Sequence, residues 1–258
     1  MIGWMKHRKR RRLLQNPFPS TWHEWLRSRV FWYPLLERQR REQLQDVLRV
    51  LVHEKHWEGC GGLEMSQQVQ VVVAAQAALL LIGLAHHDYY PQVMSILVYP
   101  THFMVRREWV DEAGLVHETD AEQDGEAWYR GPVVLGWKEV LEDAAQPGTG
   151  VNVVMHEFAH QLDFEDGRIN GTPRLREPED YPRWQEVMSE AFERLAVDAA
   201  RRRETLLDPY GAESPEEFFA VATESFFDDP VGLHRYEPDL YEVLQRYFGQ
   251  DPEKWFRR

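Results

Sequence analysis

Hydrophobic residues recur at helical spacing in the first third of the chain. Leu44, Val47, Leu48 and Leu51 fall on one side of a helix, with charged and polar residues between them. This pattern predicts an amphipathic helix over about residues 35–55. A glycine-rich stretch follows and marks the end of the helix.

An uncharged stretch rich in alanine, valine and leucine comes next. Ser66 can cap a helix here, which we predict to extend to about residue 85. Gln70 and Gln76 interrupt the apolar part, which is shorter than the roughly 20 residues that a membrane span needs. A buried helix is therefore expected, and no membrane partner is predicted.

Short runs rich in Val, Ile and aromatic residues characterise the middle of the chain. Three such runs predict strands of one small mixed sheet, at residues 93–99, 103–109 and 132–137. Helical patterns then return and predict helices at about residues 150–163, 181–203, 215–227 and 239–248. Helices, then a sheet, then further helices indicate an α+β fold.

Charge and cysteine content narrow the class of protein. The net charge of −13 disfavours direct binding to nucleic acid, because an acidic protein repels polyanions. Cys60 is the only cysteine, so an internal disulfide and a thiolate zinc cluster are both excluded, which suits the cytosol. No apolar stretch typical of a secretory signal follows the first basic residues. We therefore expect a cytoplasmic location.

One basic cluster contrasts with the negative net charge of the chain. The segment from Lys6 to Arg12 is basic throughout and can contact phosphate or an anionic lipid surface. A solvated tail is the simpler interpretation. We therefore predict a flexible basic tail over residues 1–19 and a single folded domain over residues 20–258.

The most informative motif lies in the helix predicted over residues 150–163. It reads His156-Glu157-Phe-Ala-His160, an H-E-x-x-H pattern. Residues four apart share a helix face, so both imidazoles can reach one metal ion, with the Glu157 carboxylate beside it. A chance match on a surface helix is the alternative. His and Glu side chains without partners are costly to bury in so apolar a segment, so the pattern favours a metal site.

The residues of the motif also indicate the type of chemistry. Zinc lowers the pKa of a bound water to about 7 and polarises a carbonyl group. Glu157 can take up the proton of that water and pass it to a leaving amine. Hydrolysis of a peptide bond with one zinc ion per chain is the reaction that this arrangement suits.

The motif does not decide the third zinc ligand. In metzincin-like proteins it stands six residues after the second His, and a Gly stands three residues after that His, but these places hold Asp166 and Asp163. Glu217 and Glu224 are the other candidates, because residues seven apart lie on nearly the same face of a helix. Ser214 and Glu217 also fit a capping box, in which the Glu217 carboxylate would bind the cap amide instead.

Several motifs together resemble the Mlc titration factor A family, which comprises cytosolic zinc metallopeptidases with a zinc site similar to that of the anthrax lethal factor catalytic domain. The resembling motifs are Ile96-Leu-Val-Tyr-Pro100, Gly131-Pro-Val-Val-Leu-Gly-Trp137, the His156 helix, Tyr210 and Glu217-Phe-Phe-Ala-Val-Ala-Thr-Glu224-Ser-Phe-Phe. The resemblance implies a zincin-like metallopeptidase domain with an H-E-x-x-H helix, a small sheet and additional helices at both ends.

The resemblance also implies roles for individual residues. His156, His160 and Glu217 are the expected zinc ligands, and Glu157 is the expected general base. Glu224 is then left to orient a ligand histidine through its other ring nitrogen.

The role of Tyr210 and the substrate class are implied only by the same resemblance. Tyr210 is expected to donate a hydrogen bond to the oxyanion that forms on the carbonyl. The family implies aminopeptidase-like cleavage and binding to the glucose-responsive transcriptional repressor Mlc. A regulatory protein that sequesters such a repressor, with zinc mainly structural, is the alternative function. Glu157 beside an open metal position favours the enzyme, because structural zinc normally has four ligands.

Overall fold

The computed structural model of the chain describes residues 2–85, 87–101, 108–110, 116–118 and 131–256. Within these ranges lie eleven helices: α1 (Ile2–Gln15), α2 (Ser20–Arg29), α3 (Arg38–Glu54), α4 (Gln67–Leu81), α5 (Trp137–Ala145), α6 (Val153–Asp163), α7 (Tyr181–Ala200), α8 (Pro215–Asp228), α9 (Pro230–Tyr236), α10 (Pro238–Phe248) and α11 (Glu253–Phe256). The strands there are β1 (His56–Gly59), β2 (Ser95–Tyr99), β3 (Glu108–Val110), β4 (Val116–Glu118) and β5 (Val133–Gly136). The architecture is α+β, as predicted.

In the part of the chain that the structure describes, the main sheet is parallel, whereas a mixed sheet was predicted. It contains three strands in the order β1, β2, β5, and both neighbouring pairs are parallel. β3 and β4 pair with each other in a separate antiparallel ribbon. The short connection from β5 into α5 leads the chain towards the helix that carries the H-E-x-x-H motif.

Two of the three predicted strands are confirmed, at β2 and β5. Most of the third, at residues 103–109, lies outside the described residues. β1 is an additional strand that the sequence pattern does not indicate, because four residues are too few to show a clear alternation. Its pairing with β2, from His56 opposite Ser95 to Gly59 opposite Val98, stabilises it.

Helix α4 lies in the hydrophobic core, which confirms the predicted buried helix. Twelve of its fifteen residues are buried, so it has no solvent-facing side along most of its length. Helices α2, α3, α5 and α6 pack around it. Gln76 is fully enclosed by this packing, and a buried polar side chain needs a hydrogen-bond partner.

The end of α4 comes earlier than the predicted residue 85. The chain leaves the helix near Gly83, where a side chain would collide with the carbonyl oxygen of Phe248. Only glycine permits this close approach of two backbone segments. In the described part of the chain, no helix is both long enough and apolar enough to cross a membrane.

Residues 2–15 form helix α1, which differs from the predicted flexible tail. Arg10 anchors the helix through two hydrogen bonds of 2.7 Å to the Glu54 carboxylate and one of 2.9 Å to Asp88. Its guanidinium also lies 4.1 Å from the centre of the Tyr89 ring. The partners are distant in sequence, so a local pattern does not reveal them. The predicted domain over residues 20–258 stays a prediction.

Candidate metal and catalytic site

Helix α6 carries the H-E-x-x-H motif and begins at a well-defined cap. The Asn152 side chain accepts a hydrogen bond of 2.9 Å from the Met155 amide. The Val153 amide donates to the Asp143 carboxylate, also at 2.9 Å. These contacts satisfy amides that the first helical turn leaves without partners. The helix packs on α4 and on α8, and the α8 side brings its histidines to the carboxylates of that helix.

Three predicted ligands converge in one place. The Nε2 atoms of His156 and His160 are 3.1 Å apart. The Glu217 Oε2 atom lies 3.0 Å from the first nitrogen and 3.4 Å from the second. Two ligands at about 2.0–2.1 Å from a tetrahedral zinc ion are about 3.3 Å apart, so this spacing is compatible with zinc. Oε2 is buried and makes no well-aligned hydrogen bond to the described residues, although two nitrogens lie close to it.

Glu217 does not complete the capping box that was the alternative to its role as a ligand. Ser214 caps α8, because its hydroxyl accepts a hydrogen bond of 3.3 Å from the Glu217 amide. The Glu217 carboxylate instead lies against the two imidazoles. The backbone of this residue therefore serves the helix cap, while its side chain extends into the candidate metal site.

Glu224 contacts the opposite side of one imidazole. Its Oε1 atom lies 2.7 Å from Nδ1 of His156, and its Oε2 atom accepts a hydrogen bond of 2.5 Å from the Asn152 amide. Burial raises the pKa of Glu224, although its hydrogen bonds with His156 and Asn152 oppose the rise. A carboxylate at Nδ1 holds the ring in place and leaves Nε2 facing Glu217 and His160.

The charges of the cluster are strongly coupled. Burial alone would lower the pKa of His156, but its contacts with Glu217 and Glu224 outweigh burial and raise the pKa to about 10. Burial alone would raise the pKa of Glu217, but its contacts with His156 and His160 lower it to about 2. Without a metal ion, a protonated His156 therefore offsets part of the negative charge of the carboxylates at neutral pH.

Tyr210 lies beside the cluster in a short 3-10 turn, Pro209–Ala212. Its side chain is partly exposed, and its ring centre is 6.0 Å from that of His156. Burial and the nearby charges of Glu217, Glu213 and Glu157 raise the pKa of its phenol to about 12. The phenol therefore keeps its proton at neutral pH and can donate it in a hydrogen bond.

Comparison with known protein families identifies the family of the chain. The family model described as glucose-regulated metallo-peptidase M90 matches residues 4–249. The chain belongs to this family.

Proteins with similar sequences include some that are named Mlc titration factor A. The M90 chain is 37% identical over 250 residues to an uncharacterized protein of Synechocystis sp., covering 96% of this chain and 90% of that protein. It is 35% identical to the Mlc titration factor A of Pectobacterium atrosepticum over 188 residues, 72% of this chain and 69% of the relative. The protein of the same name from Yersinia pestis is 31% identical over 236 residues, 90% of this chain and 85% of the relative. The resemblance to the Mlc titration factor A family is thereby confirmed.

Asp166, the alternative ligand, and Asp163, which stands where metzincins have Gly, make contacts outside the cluster of the M90 chain. Asp163 is buried and accepts hydrogen bonds from the amides of Asn170 and Gly171, at 3.0 and 2.8 Å. Asp166 is exposed and accepts a hydrogen bond from the Arg168 amide at 2.9 Å. Asp163 thus stabilises the loop after α6, and neither aspartate belongs to the three-residue cluster.

A buried amide pair supports the site and was not predicted. The Asn152 side chain donates a hydrogen bond of 2.7 Å to Gln76, which lies in the middle of α4. A continuous chain of hydrogen bonds thus runs from Gln76 through Asn152 and Glu224 to His156. The signal in the sequence is Gln76 within residues 71–81 of α4, which are otherwise apolar, because a buried glutamine needs a hydrogen-bond partner.

Proposed function

We propose that the chain is a zinc metallopeptidase that hydrolyses peptide bonds in an aminopeptidase-like manner in the cytoplasm. The observation that carries the proposal is the convergence of two imidazole nitrogens and one carboxylate oxygen, with Glu157 next to the first histidine. Two histidines and a glutamate are a ligand set found in catalytic zinc sites, which leave a further position open. The metallopeptidase family supports the same class of reaction.

Each residue has a distinct role in this proposal. His156, His160 and Glu217 would hold the zinc ion. When bound, zinc supplies a Lewis acid that polarises a carbonyl and acidifies water. Glu157 accepts the proton of the attacking water and returns it to the leaving amine.

Two further residues complete the proposed machinery. Tyr210 donates a hydrogen bond from its phenol to the oxygen on which negative charge develops. Glu224 keeps a proton on Nδ1 of His156, so that the Nε2 lone pair is available to the metal. The raised pKa of Tyr210 supports its role as a donor, because a phenolate has no proton to donate.

Repressor binding is the second candidate function. Relatives that share 31–35% identity with this chain carry the name Mlc titration factor A. A chain of this kind would sequester a transcriptional repressor of the Mlc type, and zinc would then mainly support the structure. The single cysteine of the chain suits the cytoplasm, where either function would operate.

Replacing Glu157 with Gln separates the two candidates. We expect Glu157→Gln to keep nearly full zinc occupancy and to lose hydrolysis of a panel of aminoacyl and peptide substrates. Glu190→Gln, which changes an exposed carboxylate on α7, is the matched control and should behave as wild type.

The possible outcomes bear on the mechanism, the metal site and the second function separately. Unchanged turnover in Glu157→Gln refutes the proposed mechanism. Wild-type protein that takes up no zinc even after supplementation refutes the metal site. Repressor binding without hydrolysis in the wild type supports the second function.

A further inference from the structure

Helix α1 concentrates basic charge in a chain that is otherwise acidic. The basic segment from Lys6 to Arg12 lies within it, and the helix contains no Asp or Glu, although the whole chain has a net charge of −13. Six of the thirty Lys and Arg residues therefore stand on this one helix, without an acidic residue among them. Such clustering is typical of a surface that meets an anionic partner.

Only part of this charge is used to dock the helix. Arg10 is buried against Glu54 and Asp88, and Lys6 lies within 4 Å of the same two carboxylates. The remaining basic side chains are exposed and form no ion pair with a described carboxylate. They are Arg8, Lys9, Arg11 and Arg12. Docking by Arg10 thus fixes which side of α1 faces outward.

Exposed apolar side chains accompany this basic surface. Trp4 is 67% exposed and Met5 is 51% exposed. Trp4, Arg8 and Arg11 stand at helical spacing and share one face. The Arg8 guanidinium lies 5.6 Å from the centre of the Trp4 ring, which keeps the aromatic and basic groups together.

A cavity that can hold a ligand headgroup lies beside this face of α1. His7 and Arg11 line a cavity of about 930 Å³ between α1 and the segment that contains Tyr89. Arg174, from the loop after α6, lines the same cavity. Asp88 and Glu165 also line the cavity, so the cavity alone does not favour an anion. The basic face of α1 is the feature that favours one.

We propose that α1 binds the surface of a membrane that contains anionic phospholipids. Lys and Arg side chains are attracted to anionic headgroups, and an exposed Trp is suited to the boundary between headgroups and acyl chains. Duplex DNA would use the basic residues but offers no apolar layer for exposed Trp4 and Met5. In this proposal α1 lies on the membrane surface and does not span the bilayer, which departs from the prediction of no membrane partner for this face only.

Cosedimentation of the full chain with lipid vesicles tests the proposal. Vesicles of phosphatidylcholine alone are compared with vesicles of phosphatidylcholine mixed with phosphatidylserine, at low and at physiological ionic strength. Wild type should bind the anionic vesicles, less strongly at higher salt. Arg8→Gln with Arg11→Gln should weaken the apparent affinity roughly tenfold or more.

Two further variants make the test specific. Arg201→Gln with Arg202→Gln removes the same charge from exposed positions that follow α7 and should leave binding unchanged. Trp4→Ala, which leaves every charge in place, should also weaken binding. Zinc content and thermal unfolding verify that each variant is folded.

Three results would overturn the proposal. The first is equal binding to neutral and anionic vesicles. The second is an equal loss of affinity in the control pair, which would indicate a general charge effect. The third is unchanged vesicle binding in Trp4→Ala together with displacement of the protein by duplex DNA, which would indicate a general polyanion site.

Discussion

Replacing Glu224 distinguishes a residue that orients a zinc ligand from one that binds the metal. Its two oxygens each accept one hydrogen bond, from Nδ1 of His156 and from the Asn152 amide. In Glu224→Ala both buried donors lose their acceptor, at a cost of about 1–3 kcal/mol each. Removal of a buried carboxylate relieves part of this cost, so we expect a net loss of about 2–4 kcal/mol in the free energy of unfolding.

Glu224→Ala should lower the affinity for zinc less than replacement of a direct ligand does. Partners that orient a ligand typically contribute about 10–100-fold in metal affinity, or roughly 1.4–2.7 kcal/mol. Glu217→Ala removes one of the three donor atoms and should abolish stable zinc binding and activity. Glu224→Gln is the intermediate case, because one amide oxygen can satisfy only one of the two donors.

Zinc titration against a competing chelator measures these affinities, with thermal unfolding as the second readout. About 2–4 kcal/mol corresponds to a fall in Tm of several degrees in a chain of this size. Full zinc occupancy in Glu217→Ala with none in Glu224→Ala would reverse the two roles. Retention of zinc in both alanine variants would make Asp166 a candidate again, against its exposed position.

The same geometry leads to predictions about Tyr210, about Gln76 and about the pH dependence of the site. Tyr210→Phe should lower kcat about 10²–10³-fold with zinc affinity unchanged, and a change in Tm alone would make Tyr210 a packing residue. Gln76→Leu leaves the buried Asn152 amide without its acceptor, so urea denaturation should reveal a loss of about 1–3 kcal/mol, and an unchanged midpoint would contradict this. The pKa of His156 is raised from 6.5 to about 10, so in chelator-treated protein its contribution to stability should be complete below pH 6.5 and lost as pH rises through about 10. The lowered pKa of Glu217 adds stability that is present above pH 4.5 and lost as pH falls through about 2. Zinc must displace the His156 proton, so its affinity should rise between about pH 6 and 10; a flat titration curve would refute the coupling.

Local sequence patterns determined much of the framework of this site. The spacing of His156 and His160 places both imidazoles on one helix face, because the helical repeat alone sets that relation. Ser66 and Ser214 were predicted to cap helices from their position before helical segments, and both hydroxyls accept the expected backbone hydrogen bonds. The apolar composition of α4 likewise indicated burial. Each of these inferences depends on residues within about one or two turns of one another.

Tertiary packing alone decided the features that join distant segments. Glu217 and Glu224 share a face of α8, so sequence spacing does not determine which of them meets Nε2 of His156. The packing of α8 against α6 does, and it directs Glu217 to Nε2 and Glu224 to Nδ1. Tertiary packing also decides the docking of α1, because the carboxylate partners of Arg10 are 44 and 78 residues away in sequence. A local pattern carries no information about such contacts, since they exist only once the helices have packed together.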